Sequence, residues 1–146
     1  MRPVVLLDTN VWVSALLNPE GAPARVVNLW REGAIDVVAA LPILEEIGDV
    51  LHRPRIRKKY AIDEAKVEGY LRLISGRASM VSVTGALKLC RDPDDDRILE
   101  AASAGKAECL VTRDDDVKRD LDLIRQMNAR GVQVLSVSQF LAKLGR

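Results

Sequence analysis

"PVVLLDTN", residues 3–10, holds four consecutive apolar residues closed by an acid. An unbroken run of valine and leucine suits a strand buried on both faces, as in a parallel sheet, because a half-exposed strand would alternate. Similar runs return in "AIDVVAA" (34–40), "AECLVT" (107–112) and "VQVLS" (132–136), with a shorter one in "ASMVSVT" (78–84). Helical spacing fills the intervals: "VWVSALLN" (11–18), "GAPARVVNLWREG" (21–33) closed by Gly33, "PILEEIGDVLHRP" (42–54) ended by Pro54, and "DEAKVEGYLRLIS" (63–75) with Gly69 as a weak point. Further helices are expected over 93–104, in pieces within 115–131, and over "VSQFLAKLG" (137–145). Strands alternating with helices predict an α/β fold with a largely parallel sheet covered on both faces. No repeat, low-complexity linker or composition break divides the chain, so 1–146 is expected to form a single domain.

This topology gathers acids. A helix joining two parallel strands runs back against them, so its N-terminus lies at the edge where the strands end and where open α/β sheets bind ligands. Asp8 directly follows the first strand, and Asp114 stands two residues past "CLVT". "CRDPDDDRILEAA" (90–102) starts a helix at that same edge. Asp92 can be its N-cap, Pro93 suits the first helical position, and Asp94, Asp95 and Asp96 complement the helix dipole. Counted from Ile98 at about 100° per residue, Asp95 falls in the apolar stripe and Asp96 on the opposite side. In "PILEEIGDVL", Glu46 lies about 100° from Ile47, on the flank of the buried stripe, and Glu45 about 160° away, facing solvent. Each acid has an ordinary alternative: Asp8 as a turn residue, Glu46 as a flank residue, and Asp114, Asp115 and Asp116 as caps of a following helix. Their joint placement calls for counter-charge. Mg²⁺ or Mn²⁺, hard cations that take oxygen ligands and substrate phosphate, are the natural candidates, and they can activate a water for in-line attack on a phosphodiester.

The totals narrow the choice. The 146 residues are 48% hydrophobic and 29% charged, as in an ordinary globular protein. A formal net charge of +1 excludes a histone-like binder and leaves room for a local basic groove. With 3% aromatic residues, any stacking platform for bases of the kind found in single-strand-binding modules is disfavoured. Cys90 and Cys109 have neither redox nor metal spacing and are expected to be reduced and mostly buried, and His52 completes no familiar zinc pattern with them. The opening apolar run is too short for a signal peptide or a membrane span, so a soluble, cytoplasmic protein without membrane association is expected. In "HRPRIRKKY" (52–60), Arg53, Arg55, Arg57, Lys58 and Lys59 follow the Glu46 helix. With Arg113 and Lys118 near the acidic edge, they can form a solvated face or track a phosphate backbone.

Together "LLDTNVWVSALL", "ILEEIGDVLHRPRI", "DPDDDRILEAA" and "CLVTRDDDV" resemble the PIN-domain family, in order and across almost the whole chain. Within it, the chain resembles the bacterial and archaeal toxin components of toxin–antitoxin pairs, the VapC-like ribonucleases. The resemblance implies a three-layer α/β/α fold, Mg²⁺ or Mn²⁺ dependence and ribonuclease activity on single strands. It implies Asp8, Glu46, Asp95 and Asp114 as catalytic acids and metal ligands, with Asp116 as support. The two "DDD" runs leave Asp94, Asp96, Asp115 and Asp116 as second choices. Asn10, Thr112, Arg113, Arg53 and Arg55 are candidate substrate contacts; Thr9, Asn10 and Thr112 can also hold an acid or a metal water through hydrogen bonds. Two departures stand out. Arg113 occupies a place where close relatives often have glycine, and "AALPILEE" lacks the small hydroxyl residue often seen before the second acidic helix.

The function expected is a metal-dependent endoribonuclease using an activated water, with RNA as substrate, a cognate antitoxin as partner and a homo-oligomeric state. An aspartyl-phosphate phosphatase is disfavoured because Asn10 replaces the second acid of a D-x-D pattern. A receiver-type signalling domain would place an acid pair after the first strand, where "DTN" has one acid. The alternative of another class is a catalytically inactive RNA-binding or partner-docking module, which would not need to crowd four acids.

Overall fold

The computed structural model of the chain describes residues 2–113 and 121–145. Among these the elements run β1 (Val4–Leu7), α1 (Thr9–Leu17), α2 (Ala22–Arg31), β2 (Asp36–Ala40), α3 (Leu41–Leu51), α4 (Pro54–Tyr60), α5 (Glu64–Arg77), β3 (Ser79–Val81), α6 (Pro93–Ala104), β4 (Cys109–Thr112), α7 (Leu121–Ala129), β5 (Gln133–Ser136) and α8 (Val137–Lys143). The strands form one sheet in the order β3-β2-β1-β4-β5, and every pairing is parallel. Val5, Leu6 and Leu7 of the central strand are wholly buried, which is why that segment tolerates no polar alternation. Helices α1, α2, α3 and α5 pack on one another with α8 against α2, while α6 crosses β1 and β2 beside α7. Right-handed crossovers put these groups on opposite faces, which makes the three-layer α/β/α arrangement. No helix among the described residues is long and apolar enough to cross a membrane.

Pro54 opens a helix instead of ending one. It sits at the first position of α4, where its missing N–H goes unused, and Arg53 is the N-cap. The basic run is therefore a separate short helix that exposes its charges. Gly69 does not interrupt α5, which Asp63 caps by accepting from the Lys66 N–H at 2.8 Å.

Aromatic packing holds α1 to its neighbours. Trp12 of α1 meets Trp30 of α2 edge to face at 5.2 Å and Tyr70 of α5 at 6.2 Å. The Tyr70 hydroxyl donates to the Trp12 carbonyl at 2.6 Å, so the buried phenol is paired. Cys109 is buried and Cys90 half-buried, both as free thiols. Burial first, and then the Asp96 carboxylate beside it, pushes the Cys90 thiol up to about 12.

Helix α6 begins as its sequence suggests, with Pro93 in the first turn and the Asp92 carboxylate accepting from the Asp94 N–H at 2.9 Å. The side chains that follow depart from expectation. Asp96, assigned by periodicity to the side away from the apolar stripe, is buried at 8% exposure, whereas Asp95 is half-buried. The reason is the segment joining β3 to α6, which lies along α6 and covers the face that periodicity alone assigns to solvent. Asp96 accepts from the Leu89 and Cys90 N–H groups at 2.9 and 2.6 Å. One turn later, Glu100 accepts from the Thr84 N–H at 2.6 Å and the Gly85 N–H at 3.1 Å. These backbone donors, the Cys90 N–H foremost for Asp96 and the Thr84 N–H for Glu100, hold both carboxyls below the usual range.

Two outcomes are expected. A group whose folded pKa is depressed contributes stability above its unfolded pKa and loses it as pH falls through the folded value. Wild type should therefore lose stability on acidification below the ordinary carboxylate range. Asp96→Asn should melt lower than wild type at neutral pH and approach it in acid, as followed by thermal melts across pH. At the other end of α6, a Cβ on Gly105 would lie 2.5 Å from Val38 Cγ1 in the buried β2 strand. Gly105→Ala should cost about 1–3 kcal/mol in urea denaturation.

Candidate active site

The strand order sets where a site can form. The chain builds β1, β2 and β3 outward in one direction, then crosses back to add β4 and β5 on the other side of β1. The helices that follow these strands, α1 after β1 and α7 after β4, pack on opposite faces, and the crevice beyond the strands' carboxyl ends is where such sheets take ligands. Asp8 is the first residue past β1. Its N–H still belongs to the ladder, donating to the Val111 carbonyl at 2.9 Å. It occupies the N-cap position of α1 with extended backbone, yet its carboxylate makes no capping hydrogen bond. Instead the Thr112 hydroxyl, at the end of β4, donates to Asp8 Oδ2 at 3.4 Å. Thr112 is 5% exposed, so its hydroxyl meets Asp8 from within the fold. Thr9 is likewise buried, while Asn10 is half-buried.

The other acids come from two further helices. α3 leaves β2 at Ala40, which supplies no side-chain cap, the consequence of the missing hydroxyl residue. Glu45 and Glu46 are both exposed, so burial does not separate them. Glu46 does share a helix face with Val50, one turn later, and Val50 lines the cleft described below. Within the acidic turn the three carboxylates differ. Asp94 pairs with Arg97 at 2.8 Å on the surface, Asp96 anchors the segment before α6, and Asp95 is half-buried in the first turn. Asp114, Asp115, Asp116 and Lys118 lie outside the described residues.

Among the described residues, no group of three or more His, Cys, Asp or Glu is placed to hold a metal ion. The candidate acids Asp8, Glu46 and Asp95 offer oxygen donors only, and none of them lines the cleft described next. His52 belongs elsewhere: its Nδ1 lies 2.6 Å from the Gly48 carbonyl and its Nε2 2.9 Å from Glu64. Both partners are acceptors, so they favour the imidazolium, and Glu64 first and Gly48 second raise the His52 pKa.

A cleft of about 600 Å³ is reached by Asn10 and Arg113, the sequence neighbours of the Asp8–Thr112 pair. Asn10, Val13, Ser14 and Leu17 form one wall, a single face of α1 at spacings of three, four and seven residues. Val50 of α3 with Ile56 and Tyr60 of α4 form the other, and Arg113 and Val137 contribute from the ends of β4 and β5. Asn10 and Arg113 thus meet in one cleft, as sequence neighbours of Asp8 and Thr112. Arg53 and Arg55 are exposed and do not line it, and Arg57 is turned to Glu64 at 3.5 Å. Sequence reasoning overlooked Tyr60 and the apolar wall of α1. The spacing of Asn10, Val13, Ser14 and Leu17 carried the signal for that wall. Nothing local marked Tyr60.

A family model described as PIN domain matches residues 4–116. The chain is 31% identical over 139 residues to the uncharacterised protein MJ1680 of Methanocaldococcus jannaschii, an alignment covering 94% of this chain and 88% of that protein. Its fold matches a chain in the crystal structure of VapBC2 from Rickettsia felis bound to a DNA fragment from their promoter, with a TM-score of 0.56. That match covers 91% of this chain and 98% of the other at 16% identity, a likeness of fold. Residues 4–116 contain β1 with Asp8, α3 with Glu46, the acidic turn of α6 and the end of β4, so the chain belongs to the PIN domain family.

Proposed function

We propose that this chain is a Mg²⁺- or Mn²⁺-dependent endoribonuclease that hydrolyses RNA phosphodiester bonds, and that it is the toxin of a toxin–antitoxin pair. One observation carries the reading: Asp8 stands at the switch point of the sheet with its carboxylate turned from capping α1 toward Thr112. An aspartate at an N-cap ordinarily accepts from the helix's own N–H groups. Here that role is given up, and a buried hydroxyl fixes the side chain at the edge where ligands bind.

The donor chemistry fits a hard divalent cation, since every acid offered there is an oxygen ligand. Asp8, Glu46 and Asp95 would hold it, together with Asp114 and with Asp116 in support. Within its run Asp95 is the position that matches the family's third acid, while Asp94 pairs with Arg97 and Asp96 accepts from two backbone N–H groups. When bound, such a cation activates water and offsets the charge of the reacting phosphate. The remaining work falls to the chain. Thr112 holds Asp8 in one orientation, Arg113 sets a positive charge in the cleft wall, and Asn10 offers an amide there. Arg53 and Arg55, exposed at the start of α4, contact the phosphate backbone away from the cut. Family membership supports nuclease chemistry, and the fold likeness to a chain of VapBC2 supports a cognate antitoxin. A homo-oligomeric state belongs to the same reading.

The test is cleavage of a labelled single-stranded RNA with Mn²⁺, Mg²⁺ or EDTA. Wild type should cut only with metal, and Asp8→Asn and Asp95→Asn should each lose at least about a hundred-fold in rate, more than loss of a supporting contact. Both variants should melt as cooperatively as wild type. Thr112→Val should lose about 10–100-fold and need more Mn²⁺ for half-maximal rate, with Thr112→Ser restoring both. Absence of cleavage by folded, inhibitor-free wild type in either cation would transfer the assignment to a non-catalytic binding module.

A further inference from the structure

We propose that the cleft reached by Asn10 and Arg113 receives one base of a single-stranded RNA, stacked on the ring of Tyr60, which makes Tyr60 a determinant of substrate affinity and position. The proposal rests on the ribonuclease reading for the identity of the nucleic acid. It starts from where the aromatic residues go. The chain has two Trp, two Tyr and one Phe. Trp12, Trp30, Tyr70 and Phe140 are buried, but Tyr60 is 38% exposed and lines the cleft. The core makes no use of this ring.

Its setting is specific. α4 buries none of its residues, and Ile56 and Tyr60, one turn apart, present the same face to the cleft. The helix stops directly behind the ring, at Ala61 in the left-handed conformation with φ 51° and ψ 45°, which a residue with a Cβ adopts only at a penalty. In the same cleft as Tyr60, Val13 and Leu17 of α1 are apolar, while Ser14 and Asn18 add polar groups. Apolar walls with polar groups among them match a nucleobase, whose faces stack and whose edge hydrogen-bonds. The cleft, about 600 Å³, lies within the range of small-ligand sites.

Charge selects the polymer carrying that base. From Arg53 to Tyr60 the segment has five basic residues and no acid. Arg57 is paired with Glu64, and the Lys59 ammonium lies 5.4 Å from the Tyr60 ring centre. A cation next to a stacking ring serves a base and its phosphate together. The low aromatic content that disfavours a stacking platform of the kind found in single-strand-binding modules is no obstacle, because one base needs one ring.

The test uses Asp8→Asn, which is expected to bind RNA without cutting it, and a single-stranded RNA carrying a fluorescent adenine analogue at successive positions. Quenching is expected at one position. Tyr60→Phe should retain it, and Tyr60→Ala should lose it together with about ten-fold or more in affinity. An abasic nucleotide at that position should cost the Tyr60 protein the same factor and cost Tyr60→Ala nothing further. Unchanged binding and quenching in Tyr60→Ala, or equal losses in Tyr60→Phe and Tyr60→Ala, would overturn the base site. RNA binding indifferent to Tyr60, combined with Tyr60-dependent capture of a glutamate-rich helical peptide, would overturn it in favour of a protein occupant. Full cleavage by Tyr60→Ala in the wild-type background leaves the nuclease and removes the base site. Tyr60-dependent quenching without cleavage by wild type in either cation does the reverse.

Discussion

The parallel pairing of β1 with β4 is the constraint on which the rest depends. Leu7 stands opposite Val111, and one step further the ladder sets Asp8 against the Val111 carbonyl and the Thr112 hydroxyl. A slip by one residue would turn each strand's side chains to the other face of the sheet. Wholly buried neighbours on β1 forbid such a slip, so the same burial that stabilises the sheet also fixes the orientation of a carboxylate at its edge. Packing and chemistry are here one requirement.

The connection across the sheet shows how carboxylates can serve as structural parts. The segment between β3 and α6 must return from the sheet edge to the opposite side of the centre, and it does so along α6 without regular pairing of its own. Its backbone donors would be left without acceptors if it were covered, and Asp96 and Glu100, one turn apart, supply them. Asp122 of α7 takes a further N–H from Arg91. The crowding of aspartates at the start of α6 thus divides into a cap, a surface ion pair, an anchor and the half-buried Asp95.

The strands were legible because burial on both faces leaves unbroken apolar runs, and the acids could be assigned to one edge because crossover geometry is nearly invariant. Legibility failed where packing between segments, and not local pattern, decided the outcome. Periodicity assigned Asp96 to solvent because the strap that covers it, with Leu89 and Cys90 only seven and six residues earlier, has no regular pattern of its own. Pro54 carried two meanings with the same local signature, the end of α3 and the beginning of α4, and only the fold distinguishes them. Tyr60 looked like part of a charged surface run, and its place in a cleft depends on α1, more than forty residues earlier.

Thr112 and Asp8 are 104 residues apart in the chain, yet one hydrogen bond joins them. The central strand acquires its neighbour on that side only after about a hundred further residues have been made, and a polypeptide emerging from the ribosome presents its N-terminal elements first. Until β4 leaves the exit tunnel, Asp8 has neither the ladder partner nor the hydroxyl that orients it. A nascent chain therefore cannot assemble this edge until those further residues have followed β1, and the delay is written into the order of the strands.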